Sequence, residues 1–544
     1  MKSSLLILLA LTCGLLAQTK AQTAASRPVW KPDSTSQFEV GTQIRAWTIK
    51  DEGMTTILDN MQSMAGVNSL YMVVVMHQEH RPFQAPEFPH NPARDVWDAE
   101  DSRVTFFPDM KRYGRIKPLL SDHKWIRDTD WLALMAASAR ARGLRIGAEV
   151  SHYPIPKELI RKNPDWQQRK INGESWSDVR FCPNHPDTRE YVIALFGDIA
   201  ANYDLDYIQT CQYLFNDKDI DEGGTCFCRH CIAEARRTGF DLEAAIPVLR
   251  RNKNAQPERD QWLAFRRDST TRLYRQISEE IEKENPRCHL RLNDVFAWSG
   301  KDAMSFGLDI KAVAPYLGSV VNQDHQEQKG RADETFNRRK NWLATNRSFI
   351  GPDKPLICGI APRMNAFPQL VRAGIKVALE HPARVNGLAL KHYDGASFSL
   401  MRAFKQGMIE AGVQGLVPTI GKEVEEMKLH NYVPFKEELV EEWGVQTDGT
   451  GRASYTFDEP SGIYDIRITY FDEERGRSRI SLLIAARQRA TFRLDEDTDC
   501  WRWRMFENIQ VSRGDEITLV GQADQEEQAK LDYIEFIRHL DQKR

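Results

Sequence analysis

The sequence predicts an α/β chain: a (β/α)8 TIM barrel followed by a C-terminal all-β sandwich of jelly-roll type. Three observations predict it. Between residues 38 and 415, short β-rich runs alternate with amphipathic helical runs. The β-rich runs are almost continuously apolar, as strands covered by crossover helices must be. From residue 445 onward the pattern changes to period-two strands separated by turns rich in Gly, Asp and Glu.

The barrel strands are expected at 39–47, 69–77, 145–152, 207–214, 289–297, 318–324, 355–361 and 387–393. Helical runs lie between them, among them 130–142, 188–203, 270–284 and 367–381, with glycine stops at Arg142-Gly143 and Ala411-Gly412. An open doubly wound sheet uses the same alternation, but no Gly-rich phosphate loop follows the first strand. Long insertions at 83–131, 155–182 and 216–262 follow strands two, three and four. All three leave strand C-terminal ends, the face on which barrel enzymes build their sites. Residues 416–444 read as a linker and 445–544 as the sandwich.

The first residues predict a Sec-type signal peptide over 1–21: Lys2 is followed by an apolar run from Leu5 to Ala17 and a small-residue cleavage point at Ala21. That run is too short to span a bilayer, so a secreted or periplasmic protein without a membrane span is expected. A formal net charge of -3 removes the electrostatic case for nucleic acid. Thirteen Trp, fifteen Tyr and twenty-four Phe suit a carbohydrate site, since sugars stack on aromatic faces, although most aromatics fill cores.

Cys226, Cys228 and Cys231 form C-x-C-x-x-C, with Cys182 upstream. Thiolates grouped this tightly suit a tetrahedral ion such as structural Zn2+, and one unstrained disulfide is hard to close at this spacing. Disulfides are the other reading in an oxidising compartment. The run Phe181-Cys182-Pro183-Asn184-His185-Pro186, then a helix, strand four and Cys226-Phe227-Cys228-Arg229-His230-Cys231, resembles glycoside hydrolase family 42, the barrel β-galactosidases. The resemblance implies the barrel, a four-cysteine structural zinc beside the active site, and hydrolysis of glycosidic bonds. It does not extend to that family's catalytic glutamates. Strand four ends Gln209-Thr210-Cys211-Gln212 and strand seven reads Ile357-Cys358-Gly359-Ile360-Ala361.

Glycoside hydrolysis uses two carboxyl groups across the scissile bond, so acids at strand C-terminal ends are the candidates. Asp324 and Asp394 come first, with Asp294 and Glu327 next. Around them, Glu149, His152, Asn293, His325 and His392 offer hydrogen bonds to a sugar, and Trp47, Tyr153, Trp298 and Tyr393 offer walls. Arg45 and Lys391 are placed to hold a carboxylate or sulfate of an acidic sugar. Each has a plainer reading: Glu149 as an ion-pair partner within a strand, Asp294 as a cap, Asp394-Gly395 as a turn, the aromatics as core. The recurrence of acids, amides and imidazoles at several strand ends favours a site that binds an oligosaccharide or polysaccharide.

Two alternatives predict different products. A polysaccharide lyase would use Tyr393, His392 and Lys391 and release unsaturated, ultraviolet-absorbing ends. A glycan-binding protein on a degenerate barrel would release nothing. The segments 462–466, 470–473, 478–484 and 531–536 resemble jelly-roll carbohydrate-binding modules, which implies a second sugar contact in the sandwich.

Overall fold

A computed structural model of the protein describes residues 38–75, 89–92, 102–211, 213–216, 218–294, 303–322, 332–362, 366–418, 420–437, 442–524 and 526–539. The expected signal peptide lies outside them. Eight strands make the barrel: β1 (Glu39–Ile44), β2 (Ser69–Val75), β3 (Arg145–Val150), β4 (Tyr207–Thr210), β5 (His289–Asp294), β6 (Ser319–Asn322), β7 (Leu356–Ile360) and β8 (Gly387–Leu390). Each pairs in parallel with the next, and β8 returns to β1 with Gly387 opposite Glu39. The ring is therefore closed, as the alternation predicts.

Strand parity explains the layering. On β2, Leu70, Met72 and Val74 point outward and pack on helices such as Met54–Ala65, which buries Ile57, Leu58, Met61 and Met64. The helix expected at 130–142 spans Trp131–Ala141; the Asp130 carboxylate caps it at the Ala133 N–H, and Gly143 turns the chain out at φ 73°. The inward set is polar at the N-terminal end. Arg291 donates two hydrogen bonds of 2.8 Å to Glu39, Arg145 adds a third of 2.9 Å, and the Arg291 guanidinium lies 3.5 Å from the Tyr207 ring centre. Gly147 makes room for that ring, since a Cβ there would stand 2.1 Å from it. Above this plug, Val321, Ile357 and Ala389 form a small apolar girdle.

Strand β1 ends sooner than its sequence suggests. The expected strand 39–47 stops at Ile44, and a helix begins at Ala46. Trp47 is therefore buried on a helix rather than exposed at a strand end. The pattern misleads because Ala46, Trp47 and Ile49 are apolar in either conformation, and burial does not distinguish them over so short a run.

Eleven strands follow the barrel: β9 (Ile420–Glu423), β10 (Lys428–His430), β11 (Val433–Glu437), β12 (Glu442–Thr447), β13 (Thr450–Thr456), β14 (Gly462–Asp472), β15 (Arg479–Ile484), β16 (Arg487–Arg493), β17 (Cys500–Val511), β18 (Glu516–Gln522) and β19 (Ala529–Arg538). They form two antiparallel sheets, one of order β11-β12-β19-β14-β17 with β9 also on β19, the other β10-β13-β18-β15-β16. Their inner faces meet through Val445, Ile466, Ile468, Leu482, Leu519 and Ile534. The segment expected as a linker, 416–444, supplies β9, β10 and β11 to the sandwich. Short strands that expose charged side chains lack the period-two signal.

The sandwich sits on the barrel through the sheet that contains β14, β17 and β19. Trp503 Nε1 donates to Asn60 Oδ1 at 2.6 Å, Arg467 Nη2 to Ser63 Oγ at 2.8 Å, and Arg402 Nη2 to buried Asp532 at 2.9 Å. Phe471 and Trp501 join the barrel's own apolar core. No helix among the described residues is long and apolar enough to cross a membrane.

Candidate active site

Inward parity places one polar group at the C-terminal half of the barrel. Tyr71, Glu149 and Gln209 lie on β2, β3 and β4, Cys211 just beyond β4, Asn293 on β5 and Lys391 just beyond β8. The buried Glu149 carboxylate accepts from Gln209 Nε2 at 2.6 Å and stands 3.5 Å from the Cys211 thiol. Asn293 Nδ2 donates to Cys211 Sγ at 3.7 Å, and Lys391 Nζ lies 5.3 Å from the centre of the Tyr71 ring. Burial pushes the Cys211 thiol and the Tyr71 hydroxyl well above their ordinary ranges, and the Glu149 charge pushes them further. Both are therefore neutral hydrogen-bonding groups facing one carboxylate and one ammonium.

Asp394 forms a second group at the rim between β8 and β1. Arg45 Nη1 donates to its Oδ2 at 2.8 Å and Thr48 Oγ1 to its Oδ1 at 3.1 Å, and Arg45 also lies 5.1 Å from the Trp47 ring. Burial raises the Asp394 carboxyl above the usual range, against the pull of Arg45. The Arg45 guanidinium expected to hold a sugar carboxylate is thus engaged by a protein carboxylate. Tyr393 is buried beside it, its hydroxyl donating to Glu52 at 2.7 Å and accepting from Asn60 Nδ2 at 2.9 Å. His90 closes this set on Glu52 at 3.1 Å and on the Tyr393 carbonyl at 3.2 Å. Tyr393 is therefore walled in by protein. His392 is buried too.

Asp294 belongs to the scaffold side. The outward parity of its position carries the carboxylate into the helical layer, where Trp342 Nε1 donates at 2.6 Å and Asn346 Nδ2 at 3.1 Å. It is neither a solvent-side cap nor a group of the lumen. On the insertion after β3, half-buried Tyr153 donates to Asp178 at 2.8 Å and accepts from Arg180 at 3.1 Å, with the His152 ring 4.3 Å away. Asp324, His325, Glu327 and Trp298 lie outside the described residues.

Sequence reading passed over Tyr71, Gln209 and Cys211. Counting two residues at a time inward from Glu149's neighbours would have found them, because parallel strands in register place equal parities on one face.

The four cysteines come together between the insertions that follow β3 and β4. Cys182 Sγ stands 3.5 Å from Cys228 and from Cys231 and 3.9 Å from Cys226, and all four are buried. Four sulfurs at about 2.3 Å from a tetrahedral zinc stand about 3.8 Å apart, so the set fits the ion. Three N–H groups point at the sulfurs: Arg169 N to Cys226 at 3.3 Å, Cys231 N to Cys228 at 3.4 Å and Asn184 Nδ2 to Cys231 at 3.4 Å. Such donors stabilise thiolate charge. Against the cluster, Asp165 accepts from His185 and His230 at 3.2 Å each and from Arg229.

No family model matches the sequence. The chain is similar to an alpha-glucuronidase of Hypocrea jecorina, 29% identical over 105 residues, which is 17% of this chain and 12% of that protein. The chain thus matches only a small part of that relative's length. Among solved structures, the glycoside hydrolase domain of PgaB from Bordetella bronchiseptica aligns at 13% identity over 70% of this chain and 99% of that one, with a TM-score of 0.48. The cold-adapted beta-galactosidase of Rahnella sp. R3 aligns at 12% identity over 73% of this chain and 59% of that one, with a TM-score of 0.46.

Proposed function

We propose that this protein is a secreted glycoside hydrolase whose substrate is an oligosaccharide or polysaccharide bearing a uronic acid. The observation that carries the reading is Glu149, a carboxylate facing the C-terminal mouth of a closed barrel among Gln209, Cys211, Asn293 and Lys391. Hydrolysis breaks the bond from the anomeric carbon to the leaving oxygen and adds water. One carboxyl delivers a proton to that oxygen, and a second meets the anomeric carbon or activates the water. Glu149 is one of the pair; Asp324, or Glu327 after it, is the other on sequence position. Asn293 hydrogen-bonds the sugar, and the Lys391 ammonium faces its carboxylate. Local similarity to an alpha-glucuronidase supports the choice of a uronic acid. Asp394, held by Arg45 and Thr48, fixes the rim from which β8 presents Lys391.

Cys182, Cys226, Cys228 and Cys231 would hold a zinc ion as a cross-link between the insertions after β3 and β4. Asn184 and the Arg169 and Cys231 amides would donate hydrogen bonds to the metal-bound sulfurs. Metal analysis of the purified protein should find about one zinc per chain.

The test is incubation with aryl glycosides, aryl glucuronides and uronic-acid-bearing oligosaccharides, comparing wild type with Glu149→Gln and Asp324→Asn. Reducing sugar is expected from wild type, with kcat lower by about 100-fold or more in each variant while folding is intact. Unsaturated products would replace this reading with a lyase. Binding without any product would replace it with a glycan-binding protein.

A further inference from the structure

The sandwich presents one sheet to the barrel and the other to solvent, and the free sheet is cationic. In the sheet β10-β13-β18-β15-β16, Ala453, Leu519, Ile480 and Leu482 point into the core, so their neighbours point outward. That outward set contains four cations, Lys428 on β10, Arg452 on β13, Arg479 on β15 and Arg493 on β16, all exposed. None makes an ion pair with a described residue. The whole chain carries a formal charge of -3, so these cations are concentrated against the average. On the described strands of this face the carboxylate is Glu516, at the far end of β18 opposite Thr456.

Their register is the telling feature. Arg479 on β15 stands directly opposite Arg493 on β16, and Arg452 lies on β13, across β18 from them. Like charges facing each other across a strand pair destabilise a sheet. The central strand between them carries the short side chains Thr518 and Val520, with Ser481 and Thr491 hydrogen-bonded at 3.0 Å alongside. The result is a shallow floor flanked by cations and hydroxyls. Adjacent strands lie about 4.8 Å apart, so the face extends about 19 Å from β10 to β16, a length suited to a polymer rather than to one small anion.

We infer that this face binds a linear polyuronate chain, its carboxylates paired with Arg452, Arg479, Arg493 and Lys428. The inference deepens the proposed function by assigning the polymer's charge to a second site, and it rests on that reading only for the class of polymer. Charge complementarity selects the occupant, and the flat floor with hydroxyl donors suits an extended sugar chain.

Affinity gel electrophoresis of the whole protein in polygalacturonate tests it independently of catalysis. Wild type should be retarded, and the retardation should weaken about tenfold between about 50 mM and about 300 mM NaCl. Carboxyl-reduced polygalacturonate, the same backbone without charge, should not retard it. The triple variant Arg452→Ser, Arg479→Ser, Arg493→Ser should bind about tenfold or more weakly, with its melting temperature and its activity on a small aryl glycoside unchanged. Equal binding by the triple variant would overturn the inference. So would equal binding of wild type to dextran sulfate or to anionic phospholipid vesicles, since the face would then be a non-selective cation patch. Retention of the Glu149→Gln variant at wild-type strength is expected. A protein that binds polyuronate but hydrolyses nothing would remove the proposed activity and leave this surface standing.

Discussion

At the scale of single residues, two carboxylates with similar sequence credentials have opposite surroundings. Glu149 faces the lumen with a thiol, two amides and an ammonium nearby, whereas Asp294 is bound by Trp342 and Asn346 in the helical layer. Glu149→Gln should therefore cost activity and little stability. Asp294→Ala leaves two buried donors without their acceptor and should cost about 2 kcal/mol in urea unfolding. Equal stability losses in the two variants would contradict this division. Glu39 makes a prediction about pH. Burial alone would raise its pKa, but Arg291 and Arg145 prevail and hold it at about 2, below its ordinary 4.5. A depressed carboxylate contributes stability above the unfolded value and loses it as pH falls toward the folded one. Wild type should thus be the more stable protein at neutral pH and lose about 3 kcal/mol of its advantage over Glu39→Gln between pH 5 and pH 2. A gap independent of pH would show that the pair is not held as described.

At the scale of elements, the cysteine cluster ties the chain before the helix Pro186–Asn202 to the start of the helix Arg229–Arg237. With the proposed zinc as the cross-link, Cys228→Ser removes one ligand and should lower the zinc content of the purified protein and reduce its melting temperature by several degrees. A variant that keeps wild-type stability and metal content would remove the zinc from the account. The spacing of these cysteines was readable in the chain because three of the four lie within one turn and its flank. The partners of Asp394 were not: Arg45 and Thr48 lie 349 and 346 residues away. They meet it only because β8 closes against β1, a contact that exists once the barrel is shut.

At the scale of the whole molecule, the sandwich is attached by buried polar contacts as well as by apolar area. Arg402 donates to Asp532 with both side chains buried, and Trp503 reaches Asn60, which in turn bonds Tyr393 just beyond β8. A chain of hydrogen bonds therefore runs from the sandwich to the rim of the barrel mouth. Arg402→Met strands the Asp532 carboxylate, at a cost of about 3 to 5 kcal/mol. Calorimetry should show one transition for wild type and a sandwich transition that separates to lower temperature in this variant. A single unshifted transition would mean that the apolar contacts alone unite the two parts.

Some features of this protein follow from local chemistry and were legible along the chain. The alternation of apolar runs and helical faces specified the barrel, because each strand must be covered on both sides wherever it lies. The change to period two marked the sandwich, and close cysteine spacing marked the cluster of four sulfurs. Other features depended on closure and register. The early end of β1 was decided by the packing of the helix that follows it, which local hydrophobicity does not report. The turning of Asp294 away from the lumen, the meeting of Glu149 with Gln209, Cys211 and Asn293, and the facing of Arg479 with Arg493 are matters of parity across strands far apart in sequence. A one-residue change of register reverses every such face, so these contacts were settled only when the strands paired.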